Sequence, residues 1–173
     1  IRVVAEIPYS GQFAWFGDTH IVYPDRSGIT RISTSGGPPV SISTVDTAAG
    51  EVYHLAPAAL SDGQGVVFTV WPGALDDPAL ARIAVTGPDG GTHEILMPGI
   101  EAEHTPGFLL VTRADGTIVA VPFDAATRKP TDAPVTIVSG LPVAILSTVG
   151  NLSATPRGRL AHVPRSSTAL VDL

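Results

Sequence analysis

The 173-residue chain has a formal net charge of −6, and 44% of its residues are hydrophobic, which is enough to build the core of one domain and excludes a disordered tail. Lys129 is the single lysine and the arginines are scattered, which excludes the clustered cations that a nucleic-acid partner requires. The chain has no cysteine and no apolar run that approaches a membrane span, so thiolate chemistry, disulfides and a transmembrane helix are excluded as well.

Short apolar runs separated by Gly, Pro, Asp and Ser follow one another along the whole chain, a pattern typical of β-strands joined by tight turns. No segment of eleven or more residues has the sustained i, i+3, i+4 apolar spacing of an amphipathic helix. We therefore predict an all-β protein. The predicted strands are residues 2–7, 12–16, 20–24, 29–33, 40–43, 56–60, 65–71, 79–85, 92–97, 101–104, 108–113, 117–123, 134–138, 151–155, 159–164 and 168–173.

An internal repeat groups these strands. Residues 13–44, 55–96 and 104–140 each show the order strand, turn, apolar strand, turn, strand, Gly/Pro/Asp turn, strand, and residues 151–173 contain a shorter copy. The spacing of roughly 40 to 50 residues is the length of a four-stranded propeller blade. We predict a single β-propeller domain, residues 1–173, of about four antiparallel blades: 12–43, 56–97, 101–138, and 151–173 with strand 2–7.

Residues 117–123 are apolar on both faces of their predicted strand. A blade lies between two neighbours, so its middle strands lose the polar half of the usual alternation. The odd-numbered residues of this run would face one neighbour, and Ile118 and Ala120 the other. A β-sandwich, which buries one face of each sheet, predicts cleaner alternation and is the second choice of fold.

The segment "GFLLVTRADGTIVAVPFDAATRKPTDAPVTIVSGLPV", residues 107–143, resembles the repeats of TolB-like, WD40-like bacterial β-propellers. These include the extracytoplasmic propellers of some bacterial serine/threonine kinases. The shared features are a Gly turn, a strand that ends in Val-Pro-Phe-Asp at 121–124 and a Pro-Val strand at 134–135. The resemblance implies a propeller fold, a binding role, and a periplasmic or extracellular location in preference to a cytoplasmic one.

Ring closure predicts a partner. The lone strand 2–7 and the three strands of residues 151–173 together make one blade, and propellers often close by pairing such strands. The missing strand comes either from the same chain, which gives a four-bladed ring, or from a second copy. We expect the second arrangement, a homodimer closed by exchange of terminal strands.

Five acidic and histidine residues form the candidate site. Glu101, Glu103 and His104 begin the innermost strand of one predicted blade, and Glu51 and His54 hold the comparable place in the blade before it. Because innermost strands converge on the propeller axis, these side chains could bind zinc, manganese or calcium in the central channel. The alternative is a set of solvated polar residues at the channel mouth.

The remaining polar and aromatic residues have simpler interpretations. Trp71 precedes Pro72 at a strand end and is predicted to be exposed on the rim, where it would contact a ligand. Trp15 is expected in the core. Structural or solvated roles are expected for His20, His93, His162, Asp76 and Asp77, and the Asn151 glycosylation pattern is weak because it lies in a strand.

Two functions follow from these residues, and the sequence leaves open whether the chain is an enzyme. The first is a non-enzymatic module that binds a protein or small ligand, as part of a larger extracytoplasmic sensor or scaffold. The second is a metal-dependent hydrolase of the lactonase, arylesterase or phosphotriesterase kind, with its site in the channel. The chain lacks the Gly-x-Ser-x-Gly, His-Glu-x-x-His and phosphate-loop motifs of other enzyme classes.

Overall fold

A computed structural model describes residues 12–73, 77–141, 143, 152–154, 159–162 and 169–172. The predicted strand 2–7, the Asn151 glycosylation pattern and Asp76 lie outside the described residues. The described strands are β1 (Ala14–Phe16), β2 (His20–Asp25), β3 (Gly28–Ser33), β4 (Val40–Ser41), β5 (Tyr53–Ala59), β6 (Val66–Trp71), β7 (Arg82–Thr86), β8 (Glu94–Pro98), β9 (Glu101–Thr105), β10 (Phe108–Thr112), β11 (Ile118–Asp124), β12 (Lys129–Pro130), β13 (Val135–Val138), β14 (Leu152–Ala154), β15 (Arg159–His162) and β16 (Ala169–Asp172).

The strands form four sheets in which neighbours are antiparallel and follow chain order. The first sheet is β1-β2-β3-β4 and the second is β5-β6-β7-β8. The third contains β9, β10 and β11, with both β12 and β13 paired to β11, and the last is β14-β15-β16. Helix in the described residues is limited to the short 3-10 turns Thr47–Ala49, Ser61–Gly63 and Pro78–Leu80, and no helix there could cross a membrane. The all-β prediction is confirmed.

The sheets stack in sequence, with their first strands side by side. β1 contacts β5, β5 contacts β9, and β9 contacts β14. Meandering antiparallel sheets whose first strands adjoin one another have the arrangement of propeller blades. It follows that the interior of this protein lies between the faces of neighbouring sheets.

β11 shows how both faces of a middle strand are buried. Val119, Val121 and Phe123 lie in one apolar cluster with residues of the second sheet. Ile118 belongs to a separate cluster, which partly buried Ala120 contacts. Both faces of β11 therefore lie in apolar clusters, as the sequence predicts, and β6 is likewise buried on both faces, because all six of its residues are buried.

The turn before β11 needs a glycine for two reasons. Gly116 has a φ of 78°, a conformation that a residue with a Cβ adopts only at a cost. A Cβ at this position would also collide with the carbonyl oxygen of Leu141, whose backbone N–H donates a 2.9 Å hydrogen bond to the Gly116 oxygen. Asp115 completes the turn by accepting hydrogen bonds from the Thr117 backbone N–H (2.9 Å) and hydroxyl (2.7 Å).

The two tryptophans have the reverse of their predicted environments. Trp71, predicted on an exposed ligand rim, is only 2% exposed and packs with Ala81 and Ile100. Although Trp71 is the last residue of β6, residues of the second sheet and of the connection to the third cover its side chain. Trp15, predicted in the core, is 60% exposed, because alternation along β1 directs Phe16 to the interior instead.

Candidate functional site

Glu51, His54 and His93 converge between the first and second sheets. His54 Nε2 lies 2.9 Å from Glu51 Oε2, and His93 Nε2 lies 2.7 Å from Glu51 Oε1. One potential ligand atom from each residue can be chosen so that all three lie within 4.8 Å of one another. The carboxylate therefore bridges two imidazoles that come from different parts of the second sheet, β5 and the residue before β8.

A short capped turn places the Glu51 carboxylate. Asp46 accepts hydrogen bonds from the backbone N–H groups of Ala48 (3.0 Å) and Ala49 (3.1 Å), and Gly50 ends the turn with a φ of 82°. The Asp46 backbone N–H then donates a 2.8 Å hydrogen bond to Glu51 Oε2. The connection between β4 and β5 thus folds back on itself and presents the carboxylate to the imidazoles.

The other ring nitrogen of His54 contacts Ser43, in the connection that follows β4. Its Nδ1 lies 2.7 Å from Ser43 Oγ, and that oxygen accepts a 3.0 Å hydrogen bond from the Ile29 backbone N–H. An ionised Glu51 can only accept, so His54 Nε2 carries the proton and Nδ1 accepts from the Ser43 hydroxyl. The imidazole therefore links Ser43, which is hydrogen-bonded to β3, to the carboxylate in the same connection.

Burial and hydrogen bonding set the charges of this cluster. Glu51 is 8% exposed and His54 is 1% exposed. Burial by itself raises the pKa of Glu51, but the hydrogen bonds from the Asp46 backbone, His54 and His93 outweigh it and hold the pKa below its ordinary value. Burial, together with the nearby His93, lowers the pKa of His54 more strongly than the Glu51 carboxylate raises it. The cluster at neutral pH is therefore an ionised carboxylate beside a neutral His54.

The Phe68 ring forms one wall of the cluster. Its centroid lies 4.8 Å from that of His54 and 5.5 Å from that of His93. Phe68 itself belongs to the apolar cluster shared with residues of the first sheet such as Val22. The carboxylate and imidazoles thus lie at the edge of a dry core, where electrostatic interactions are stronger than in water.

Two imidazole nitrogens and a carboxylate oxygen are a donor set for a borderline transition metal. Around a tetrahedral zinc with ligand bonds of about 2.1 Å, ligand atoms lie about 3.4 Å apart. The nitrogen–oxygen distances of 2.7 and 2.9 Å here are those of hydrogen bonds, and a small separation of the three side chains would bring them to coordination distance.

The structure divides the predicted site into two parts. Glu51 and His54 come together, whereas Glu101, Glu103 and His104 lie on β9 and do not join them. Glu101 accepts a 2.9 Å hydrogen bond from Gln12, and His104 Nδ1 lies 3.1 Å from Ser61 Oγ. Alternation along β9 sends His104 to the face opposite Glu101 and Glu103, so these three cannot share one ligand.

His93 is the residue that sequence reasoning assigned to a structural role. It is 42 residues from Glu51, in the hairpin between β7 and β8, and no local spacing connects the two. The simpler interpretations of the others fit what is described: His20 Nδ1 contacts the Thr19 hydroxyl at 3.0 Å, and Asp77 caps a 3-10 turn through the Ala79 N–H. Of His162 only the backbone is described.

No protein-family model matches this sequence, and none of the curated proteins matches it. Among solved structures, the chain is similar to regucalcin from Agrobacterium tumefaciens, which is described as a calcium-binding protein, with a TM-score of 0.62 and 13% sequence identity. The match covers 92% of this chain and 55% of regucalcin, so the chain spans about half the length of that protein. A likeness at this identity is one of fold. Together with the antiparallel four-stranded sheets, it confirms the predicted all-β propeller class.

Proposed function

We propose that this chain is a propeller-type binding module that holds a divalent transition-metal cation between its first two sheets. The protein ligands are Glu51, His54 and His93. The observation that supports the proposal is the convergence of one ligand atom from each of these residues within 4.8 Å, in a buried place where a lone carboxylate would be costly.

The donor set favours zinc over calcium. Regucalcin is described as a calcium-binding protein, and its likeness to this chain is one of fold. Calcium takes six to eight oxygen ligands, whereas two of the three donors here are imidazole nitrogens. Neutral imidazole and one carboxylate suit zinc, with manganese next among the cations expected from the sequence.

Ser43 has a defined part in this proposal. A cation on His54 Nε2 would need the lone pair of that nitrogen, so the ring proton would lie on Nδ1, from which it could be donated to Ser43 Oγ, 2.7 Å away. Metal-ligating histidines commonly donate their second ring N–H to such an oxygen, which fixes the ring orientation. The Ser43 hydroxyl thus accommodates both the hydrogen-bonded and the metal-bound state of the imidazole.

The burial of the cluster favours cation binding, in preference to catalysis, as the function of this site. Glu51 and His54 are almost closed off from solvent, and Phe68 covers both imidazoles. A cation there would tie the connection at Glu51 to two places in the second sheet, and so fix how the first two sheets meet. This fits a ligand- or protein-binding module of an extracytoplasmic sensor or scaffold, the role that the resemblance to TolB-like repeats implies.

Metal content and melting temperature test the proposal. We expect purified protein to contain about one zinc per chain, and a chelator to lower its melting temperature, because a ligand held only by the folded state stabilises it. Added zinc should restore the temperature and calcium should not. Glu51→Gln and His93→Gln should abolish the response, while the exposed Glu94→Gln and the half-buried His20→Gln serve as matched controls. A chelator response that survives in Glu51→Gln, or wild-type protein that takes up no zinc, would contradict the proposal.

A metal-dependent hydrolase of the lactonase, arylesterase or phosphotriesterase kind is the second candidate. Three protein ligands would leave one position of a tetrahedral cation open, and His93 also lines a cavity of about 250 Å³. A cation with an open position lowers the pKa of a bound water, which is one route to hydrolysis. Zinc-loaded protein that hydrolyses lactones, aryl esters or phosphotriesters, with the activity lost in His93→Gln and kept in His20→Gln, would favour this function. Zinc-loaded protein inactive on all three classes would exclude it.

A further inference from the structure

The cavity of about 250 Å³ lies where the turn between β11 and β12 meets the hairpin between β7 and β8. The second sheet contributes Thr86, Gly87, His93 and Glu94 to its lining, and the third contributes Arg128 and Lys129. It is therefore a cleft between two neighbouring sheets, and its size suits a small ligand or one end of a larger one.

Arg128 has a backbone conformation that an arginine rarely adopts. Its φ is 58°, in the left-handed region, at the last residue of the four-residue turn between Asp124 and Lys129. Glycine or asparagine takes this place at lower cost, because a Cβ crowds the following carbonyl. The turn geometry therefore does not favour arginine at this position. The strained backbone indicates that the arginine side chain itself has a role.

Two glycines make room for that side chain. A Cβ built on Gly65 would lie 3.3 Å from the Arg128 Cδ atom, and one built on Gly87 would lie 3.8 Å from its Cζ atom. The aliphatic part of the arginine side chain thus passes over the Gly65 backbone, and the guanidinium passes over the Gly87 backbone. This packing half-buries the side chain and holds the guanidinium beside the cleft.

The guanidinium forms no ion pair with the described residues, although Glu94 lines the same cleft. Within the part of the chain that the structure describes, the ion pairs are His54–Glu51, His93–Glu51 and Lys129–Glu94, so Arg128 forms none. The Lys129–Glu94 contact is weak, at 4.0 Å between side chains that are 64% and 60% exposed. The Glu94 carboxylate is therefore mostly solvated. The cleft therefore has an excess of positive charge although the whole chain is acidic.

From this geometry we propose that the cleft is a binding site for a small ligand that carries an oxyanion, a carboxylate or a phosphate group. The planar guanidinium of Arg128 presents paired N–H donors to two oxygens of that group, and the Lys129 ammonium adds charge at the mouth. The proposal goes beyond the metal site and does not depend on it, because Arg128 and Lys129 are not among the metal ligands.

Calorimetric titration with inorganic phosphate and with malonate, at constant ionic strength, tests the site. We expect saturable binding to wild-type protein and binding about tenfold weaker or more in Arg128→Gly, the loss of roughly one bidentate contact. Arg128→Gly should melt at or above the wild-type temperature, because glycine relieves the left-handed backbone, so its loss of binding cannot be put down to misfolding. Arg128→Lys should bind more weakly than wild type, since an ammonium lacks the fork.

The exposed Arg26→Gln is the matched control and should bind as wild type does. Binding of phosphate alone would identify a phosphate-bearing ligand, and binding of malonate alone a carboxylate. Wild-type protein that binds neither probe, or Arg128→Gly that binds them as wild type does, would overturn the proposal. Zinc uptake by Arg128→Gly should be unchanged, so a failure here is distinguishable from a failure of the metal site.

Discussion

Glu103 carries a half-buried carboxylate whose removal should stabilise the protein at alkaline pH. It lies in the middle of β9, on the same face as Glu101, two residues away. Burial, and next the charge of Glu101, raise the pKa of Glu103 from 4.5 to about 7. The folded protein therefore holds a proton on Glu103 through a pH range in which the unfolded chain has already lost it.

The direction of the effect follows from this difference. Below pH 4.5 the carboxyl is neutral in both states, so burial of Glu103 carries no charge penalty. As the pH rises from 4.5 through 7, the folded state is penalised, and at about 1.4 kcal/mol for each pH unit the loss reaches about 3 kcal/mol. Glutamine imitates the neutral form. Glu103→Gln should equal wild type near pH 4.5 and exceed its stability by about 3 kcal/mol at pH 8.

Urea unfolding of wild type and Glu103→Gln between pH 4.5 and 8.5 measures this difference directly. All other titrating groups are common to both proteins, so the gap between the two curves isolates Glu103. The exposed Glu94→Gln should run parallel to wild type. A gap that stays constant with pH, or that favours wild type at pH 8, would refute the reasoning that β9 buries a carboxylate beside a second one.

Four further outcomes are expected. Because the pKa of His54 is lowered from 6.5, stability is lost as the pH falls below 6.5, and His54→Gln should flatten that part of a urea-denaturation profile. Gly116→Ala should cost more free energy of unfolding than Gly107→Ala, by about 1 kcal/mol or more, since both have positive φ but a Cβ has open space only at Gly107. Trp71→Ala should destabilise by about 3 to 5 kcal/mol and Trp15→Ala by less than 1. The homodimer stays a prediction, and light scattering that gives a monomer of 17.8 kDa at micromolar concentrations would contradict it.

Apolar patterning identified the fold because the middle strands of a propeller blade are buried on both faces, and this makes consecutive residues apolar. Residues 117–123 are apolar on both faces, and β11 packs against different clusters through its two faces. One boundary shows the limit of such reasoning. The strand predicted at 56–60 begins in the structure at Tyr53. Its register shifts between Leu55 and Ala58, where Ala56 has a φ of 48° and the bulge tolerates Pro57. A bulge of this kind looks like a strand end in sequence.

The candidate site could be predicted only in part because its members meet through tertiary structure. Glu51 and His54 are three residues apart and were recognisable as a pair. His93 reaches them from 42 residues away, across the whole second sheet. Conversely, Glu101 and His104 are also three residues apart, yet they lie in a regular strand, where that spacing puts them on opposite faces. The same spacing gives opposite results when one residue precedes the strand, as Glu51 precedes β5, and when both lie within it.

The length of the connection between sheets explains why the cluster lies where it does. Every chain path from the last strand of one sheet to the first strand of the next must cross the interface between them. The second sheet ends at Pro98 and the third begins at Glu101, so this crossing has only two residues, and the second of them, Ile100, is buried among apolar neighbours. The first sheet ends at Ser41 and the second begins at Tyr53, which leaves room for a capped turn that folds back into the interface. A buried carboxylate in such a connection needs hydrogen-bond partners, and Glu51 accepts three hydrogen bonds, from the Asp46 backbone and both imidazoles.

Replacing residues 44–50 by two residues, the length of the connection between the second and third sheets, should therefore abolish zinc uptake while β5 to β8 keep their pairing. Zinc retained by such a variant would show that the connection does not build the site.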